Sequence, residues 1–189
     1  MPAEGPLFPV VCAAPLSKEV TSAIFPPPYP WLNTNPWRGL QVMNRFIEEN
    51  DVDDSQWNLV FVDSIDDCYN ETSEAPVEEE SDPNSPFIGK TPEECRRLLC
   101  KLQEDTESEI MPDLFVIMDE RSTEDDTVLL ACVDVNLEGE FLGVATVRAT
   151  FETAALSLII YEVGKSSVGE DAERARLEGD GVFRGYGYF

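Results

Sequence analysis

Two apolar runs in this chain end in an aspartate: Asn58-Leu-Val-Phe-Val-Asp63 and Leu114-Phe-Val-Ile-Met-Asp119. Ligands of open α/β sheets bind at the carboxyl ends of parallel strands. Two carboxylates there, with Glu120 and Asp134 nearby, are the groups that would hold Mg²⁺ or divide into a general acid and a general base. The competing reading is structural, because Asp at a strand end also forms turns and caps helices. Arg184 is the third candidate. Its guanidinium would present a fork to an anionic substrate or make a bidentate pair with Asp63 or Asp119; Val182, Phe183 and Tyr186 around it suit docking on a core, so the sequence favours the pair.

Other chemistry fails on spacing or composition. Gly89-Lys90-Thr91 and Gly164-Lys165-Ser166, the latter after an apolar run read as a strand, resemble phosphate-loop ends. The glycine required five residues earlier is replaced by Asn84 and Ile159, so neither loop can wrap its amides around a phosphate. Asp51-Val-Asp53-Asp54-Ser55 starts like a calcium loop, but Gln56 occupies the glycine position and position 62 is not Glu. The chain has no histidine, which removes Ser-His-Asp and Cys-His nucleophiles and the commonest metal ligand. Cys95 and Cys100 lie beside Arg96, Arg97 and Lys101, yet Cys95 falls on the apolar side of its helix, which points to core packing. We expect no cofactor and no bound metal.

One linear motif stands out. Pro26-Pro27-Pro28-Tyr29 matches the P-P-x-Y ligand of WW domains, in which preformed polyproline II docks at little entropic cost. The alternative is a strap along the domain, with Phe25, Tyr29 and Trp31 packed inward.

The elements that must position these residues follow from pattern. More than half of the prolines fall in residues 1–36, read as a proline-rich arm acting as strap or tether. Asn35 and Pro36 open a helix to Glu49, carrying Trp37, Leu40, Met43 and Ile47 near helical spacing. From Asp66 to Pro86 the chain has eight acids and no base, a composition that predicts a mobile acidic loop, able at most to capture a basic tail. Thr91-Pro92-Glu93-Glu94 is a capping box ahead of Cys95, Leu98, Leu99 and Leu102, the clearest amphipathic helix. Thr127–Val135 and Gly143–Ala149 read as a hairpin joined by Glu138-Gly139-Glu140, and Gly169–Leu177 as a further helix. Strand-helix units in series favour parallel pairing, so we expect one α/β domain, residues 37–189, with a mixed sheet of five to six strands and packed helices.

The strand ending in Asp63, the helix from Thr91, the strand to Asp119 with Glu120-Arg121-Ser122-Thr123, the strand to Asp134 and the tail Gly181-Val-Phe-Arg-Gly185-Tyr186 together resemble an uncharacterised domain of short acidic bacterial and fungal proteins. The resemblance covers residues 55 to 186 apart from the acidic loop. It implies an α/β fold and brings no activity with it.

Charge bounds the partners. Thirty-eight Asp and Glu against 13 Lys and Arg leave a formal charge of -25, which repels phosphate backbones and anionic membranes and attracts basic surfaces. The Phe-Arg-Gly-Tyr-Gly-Tyr ending, though reminiscent of RNA-binding segments, sits in the wrong field for that use. Five cysteines without a C-x-x-C pair read as free thiols in a reducing compartment. Met-Pro-Ala-Glu has no basic lead and Pro9 interrupts the apolar run after it, so a signal peptide is not expected and the expected place is cytosol or nucleus. The sequence therefore favours a non-catalytic protein-protein interaction module. Its rivals are an enzyme of unknown reaction at Asp63, Asp119 and Arg184, and a polyanionic binder of a basic protein.

Overall fold

A computed structural model describes residues 7–14, 37–50, 58–73 and 85–186, with the backbone alone for 37–41. Among them run β1 (Phe8–Cys12), α1 (Trp37–Asn50), β2 (Leu59–Val62), α2 (Pro92–Thr106), β3 (Leu114–Met118), a 3₁₀ turn (Glu120–Thr123), β4 (Thr127–Val135), β5 (Phe141–Thr150), α3 (Phe151–Glu162), α4 (Val168–Glu178) and β6 (Val182–Phe183). The strands form one mixed sheet in the order β2-β1-β3-β4-β5-β6. β1 is parallel to β2 and β3, β4 is antiparallel to β3 and β5, and β6 is parallel to β5.

The crossover through α1 steps from β1 to one side and that through α2 steps back across it. Crossovers of one hand running in opposite directions place their helices on opposite faces. Accordingly Val42, Met43, Phe46 and Ile47 of α1 share a core with Phe8, Val10, Phe61, Val116 and Leu130, joined there by α3 and α4. On the other face Cys95, Leu99 and Leu102 of α2 pack with Val11, Val60, Val62, Phe115 and Ile117. Strand residues alternate between the two cores, as a sheet covered on both faces requires.

Three expectations need correction. Residues 7–14 belong to the segment read as an arm, yet β1 is the strand between β2 and β3. Pro9 argues against an inner strand because it cannot donate to a ladder. It is accommodated because pairing with β3 begins only at Val10↔Val116, after an isolated bridge at Leu7↔Ile110; the partner chain spends residues 110 to 116 where β1 spends 7 to 10. Second, the run Leu156–Val163 read as a strand is the later part of α3 and its C-cap Val163, and Ala154, Ala155, Leu158 and Tyr161 of the helix are buried. An apolar run of that length carries no period that separates a strand from a buried helix. Third, the opening of the acidic loop is fastened: Tyr69 N–H donates to Ser108 Oγ at 2.9 Å, and Ser73 N–H donates to the Leu59 carbonyl at 2.9 Å. Residues 74–84 of that loop, and Pro26, Pro27, Pro28 and Tyr29, lie outside the described residues.

Local signals agree elsewhere. At α2 the Thr91 hydroxyl accepts from Glu94 N–H at 3.3 Å and Glu94 accepts from Thr91 N–H at 2.9 Å, completing the capping box. Asn50, buried at the end of α1, donates to the Phe46 and Phe151 carbonyls at 2.7 and 2.9 Å and accepts from Ala155 N–H at 3.0 Å. One amide thereby fixes α1 against the first turn of α3. Among the described residues no helix is long and apolar enough to cross a membrane.

Candidate functional site

Asp63 and Asp119 follow β2 and β3, which flank β1, so at about 4.8 Å per strand their backbones stand about 10 Å apart. Each is occupied locally. Asp119 caps the 3₁₀ turn: Oδ1 accepts from Arg121 N–H at 3.0 Å and Ser122 N–H at 3.3 Å, while Ser122 Oγ receives Asp119 N–H at 3.0 Å. Both of its oxygens also meet the guanidinium of Arg148, Nη1 on Oδ1 at 3.1 Å and Nη2 on Oδ2. Arg148 is 9% exposed, and its Nη1 donates further to Thr127 Oγ1 at 3.1 Å. Thr127 in turn donates to Asp125 at 2.5 Å, and Asp125 takes Arg121 Nε at 3.0 Å. Burial would raise the Asp125 pKa, but the Thr127 hydroxyl and the Arg121 guanidinium prevail and hold it below the ordinary carboxylate value. Asp126 pairs with Arg45 beside this chain of charges.

Asp63 accepts from the Tyr69 hydroxyl at 2.7 Å, and that hydroxyl oxygen receives Ser64 N–H at 3.0 Å. Between the two aspartates, the end of β1 is closed by the turn before α2. Ser85 Oγ donates to the Cys12 carbonyl at 3.1 Å, Gly89 N–H donates to the Ala13 carbonyl at 2.8 Å, and Phe87 is fully buried beneath. The Gly89 amide that a phosphate loop would offer to a ligand is thus spent on the chain itself. Burial pushes the Cys12 thiol up to about 12, with the Asp63 charge adding to it, and burial does the same for Cys95. Neither thiol has the depressed pKa that a nucleophile needs.

Arg184 does not join these residues. Half exposed, it pairs with Asp180 and, at 3.2 Å, with Glu178, so the expected bond to Asp63 or Asp119 is replaced by a local clasp. The strand-end arginine is Arg148, which sequence reasoning passed over although an arginine inside the apolar run Val144–Ala149 demands a buried partner. The tail docks by other means. Val182 and Phe183 extend the sheet, Phe183 meets Tyr186 edge-on at 5.1 Å, and Tyr186 donates to buried Asp171 at 2.7 Å. Tyr161 donates to the same oxygen at 2.7 Å, and Arg174 reaches the other at 3.0 Å. Burial and the Asp171 bond raise the pKa of both phenols, Tyr186 to about 12. Gly185 has φ 98°, and a Cβ there would lie 3.2 Å from Thr153 Cγ2, so the tail motif needs its glycine. Among the described residues, no group of three or more Cys, Asp or Glu side chains is placed to hold a metal.

Among the described residues the densest group of exposed large apolar side chains is the far end of the β4–β5 hairpin, where the Arg96 guanidinium of α2 lies over the Phe141 ring at 5.0 Å. Val135 and Phe141 are 51% exposed, Leu142 61%, and Leu137 completely. The turn beneath them is stiff. Asn136 N–H donates to the Glu140 carbonyl at 3.0 Å, its Oδ1 accepts from Glu138 and Glu140 N–H at 2.9 Å each, and Gly139 takes φ 80°. Exposed Asp134, Glu138 and Glu140 alternate with the apolar residues along the chain. The signal for this site was present in the sequence as large apolar residues set around a Glu-Gly-Glu turn, where polar residues are usual. No protein-family model, curated protein or solved structure matches the chain.

Proposed function

We propose that this protein is a non-catalytic interaction module and that the tip of the β4–β5 hairpin is its contact surface. The observation that carries the reading is Val135, Leu137, Phe141 and Leu142, each at least half exposed, on a turn tied by five hydrogen bonds of Asn136. Apolar side chains clustered on a rigid projection mark a contact site, since their burial yields free energy without the cost of ordering a loop. Exposed Asp134, Glu138 and Glu140 on the hairpin and the charge of -25 select a basic partner with an apolar recess, and they steer its approach. Further support comes from the strand ends, where Asp119 spends both oxygens on Arg148 and the turn caps, and the mouth of β1 is filled. Pro26-Pro27-Pro28-Tyr29 supplies a second contact, for a WW domain, independent of the hairpin.

The test compares three baits in a pull-down at low and high salt: wild type, Leu137→Ser/Leu142→Ser, and Tyr29→Ala. Wild type is expected to retain a basic protein that the hairpin variant loses and Tyr29→Ala keeps. Identical partner sets on the wild-type and hairpin baits would sink the reading.

A further inference from the structure

The two edges of the sheet are finished differently. The edge of β2 is covered, because Ser73 donates its N–H to the Leu59 carbonyl and accepts from Phe61 N–H, both at 2.9 Å. On the other side β6 pairs only with Arg148 and Ala149 of β5. Among the described residues nothing pairs with the outer edge of β5 from Phe141 to Val147, a stretch with no charged side chain and no proline. Natural sheets blunt such edges with charge, proline or cover.

The register says which groups are offered. Phe151 N–H donates to the Asp126 carbonyl at 3.0 Å, continuing the ladder in which Thr150 faces Thr127. Alternation then turns the N–H and C=O of Ala145 and Val147 toward β4 and those of Val144 and Thr146 toward the open side. A register shift between Asp134 and Val135 bends the strand beyond this point, which sets Phe141 and Leu142 at one end of the open edge. Glu138 and Glu140 lie past them.

We propose that this edge captures an extended segment of the partner by strand addition, the backbone of Val144 and Thr146 supplying hydrogen bonds on both sides of the new pair. The inference rests on the interaction-module reading and specifies its mode. The occupant is an uncharged alternating β-forming segment, antiparallel to β5, followed by lysine or arginine. That direction lays its C-terminal basic residues against Glu138 and Glu140. A second copy of this chain fits less well, because it would bring another charge of -25 to the same edge.

The probe is a fluorescent peptide, Thr-Val-Thr-Val-Thr-Lys-Lys, titrated onto the full chain and followed by anisotropy and by amide exchange. Binding is expected to weaken with salt, to slow exchange of the Val144 and Thr146 amides, and to fall about tenfold in Thr146→Pro, which loses an outward donor while the β4 ladder is kept. A Glu-Glu ending is expected to bind at least tenfold more weakly than Lys-Lys. Equal binding by wild type and a folded Thr146→Pro would overturn the proposal. So would wild-type amides that the peptide leaves unprotected, a readout that needs no variant. Equal affinity for the Glu-Glu peptide would overturn the basic occupant, and concentration-dependent protection without peptide would assign the edge to a second copy. Should Leu137→Ser/Leu142→Ser lose the captured partner while Thr146→Pro retains it, the module reading survives and strand addition does not.

Discussion

Replacing Arg148 by methionine and Asp119 by asparagine, singly and together, separates a structural carboxylate from a functional one. Arg148 is 9% exposed and Asp119 26%, so the pair is mostly dry, and removing one partner leaves a charge without its counterpart. Breaking a buried pair costs about 3–5 kcal/mol, and the partial exposure of Asp119 places each single substitution at about 3 kcal/mol. Asparagine keeps the oxygen that caps Arg121 and Ser122, so the loss in Asp119→Asn is chiefly the charge. The double variant strands no charge and should cost no more than either single one, at most about 3 kcal/mol against a sum of about 6, a coupling of at least about 3 kcal/mol. In urea, with a slope of about 2 kcal/mol per molar, each single variant moves the midpoint by about 1.5 M. Additivity within about 0.5 kcal/mol would refute the coupling. An Asp119→Asn variant more stable than wild type would refute the argument altogether, because carboxylates held against stability are a mark of active sites.

Other outcomes follow from single residues. Asn50→Leu leaves the Phe151 carbonyl and Ala155 amide without the side chain that bridges them, and should cost about 2–3 kcal/mol by urea denaturation; a loss under about 0.5 kcal/mol would contradict the bridge. The Cys12 and Cys95 thiols have folded pKa values near 12 against an ordinary 9. A raised folded value means that their contribution is full below pH 9 and is lost as pH climbs toward 12, so the fall of the urea midpoint over that window should be shallower in Cys95→Ala; an unchanged slope would contradict it. Exposed Cys68 should take a thiol reagent first, with buried Cys95 reacting only on unfolding, as read by mass spectrometry of the labelled chain.

What could be read in advance was what local chemistry encodes. The capping box at Thr91, the amphipathic face of α2, the two strands ending in aspartate and the docking of Val182, Phe183 and Tyr186 all have short-range signals, and each is found. The errors came where distant residues decide. Pro9 is tolerable in β1 only because the chain from Ile110 to Val116 detours around it, and α3 differs from a strand only in what surrounds it. Asp119 and Arg148 are 29 residues apart in sequence; the apolar run around Arg148 signalled a buried arginine, but not which carboxylate it meets. The hairpin tip was legible as an oddity of composition, but its exposure depends on β4 and β5 outrunning β3, which is a property of the assembled sheet.

On the reading above, the partner sits on the hairpin and not at the strand ends. The most direct measurement is amide hydrogen exchange across the full chain with and without the basic protein that the wild-type bait retains. Protection is predicted from Val135 to Thr146, with Asp63–Ser64 and Asp119–Thr123 unchanged. Protection confined to those strand ends, with the hairpin exchanging as it does alone, would contradict the account.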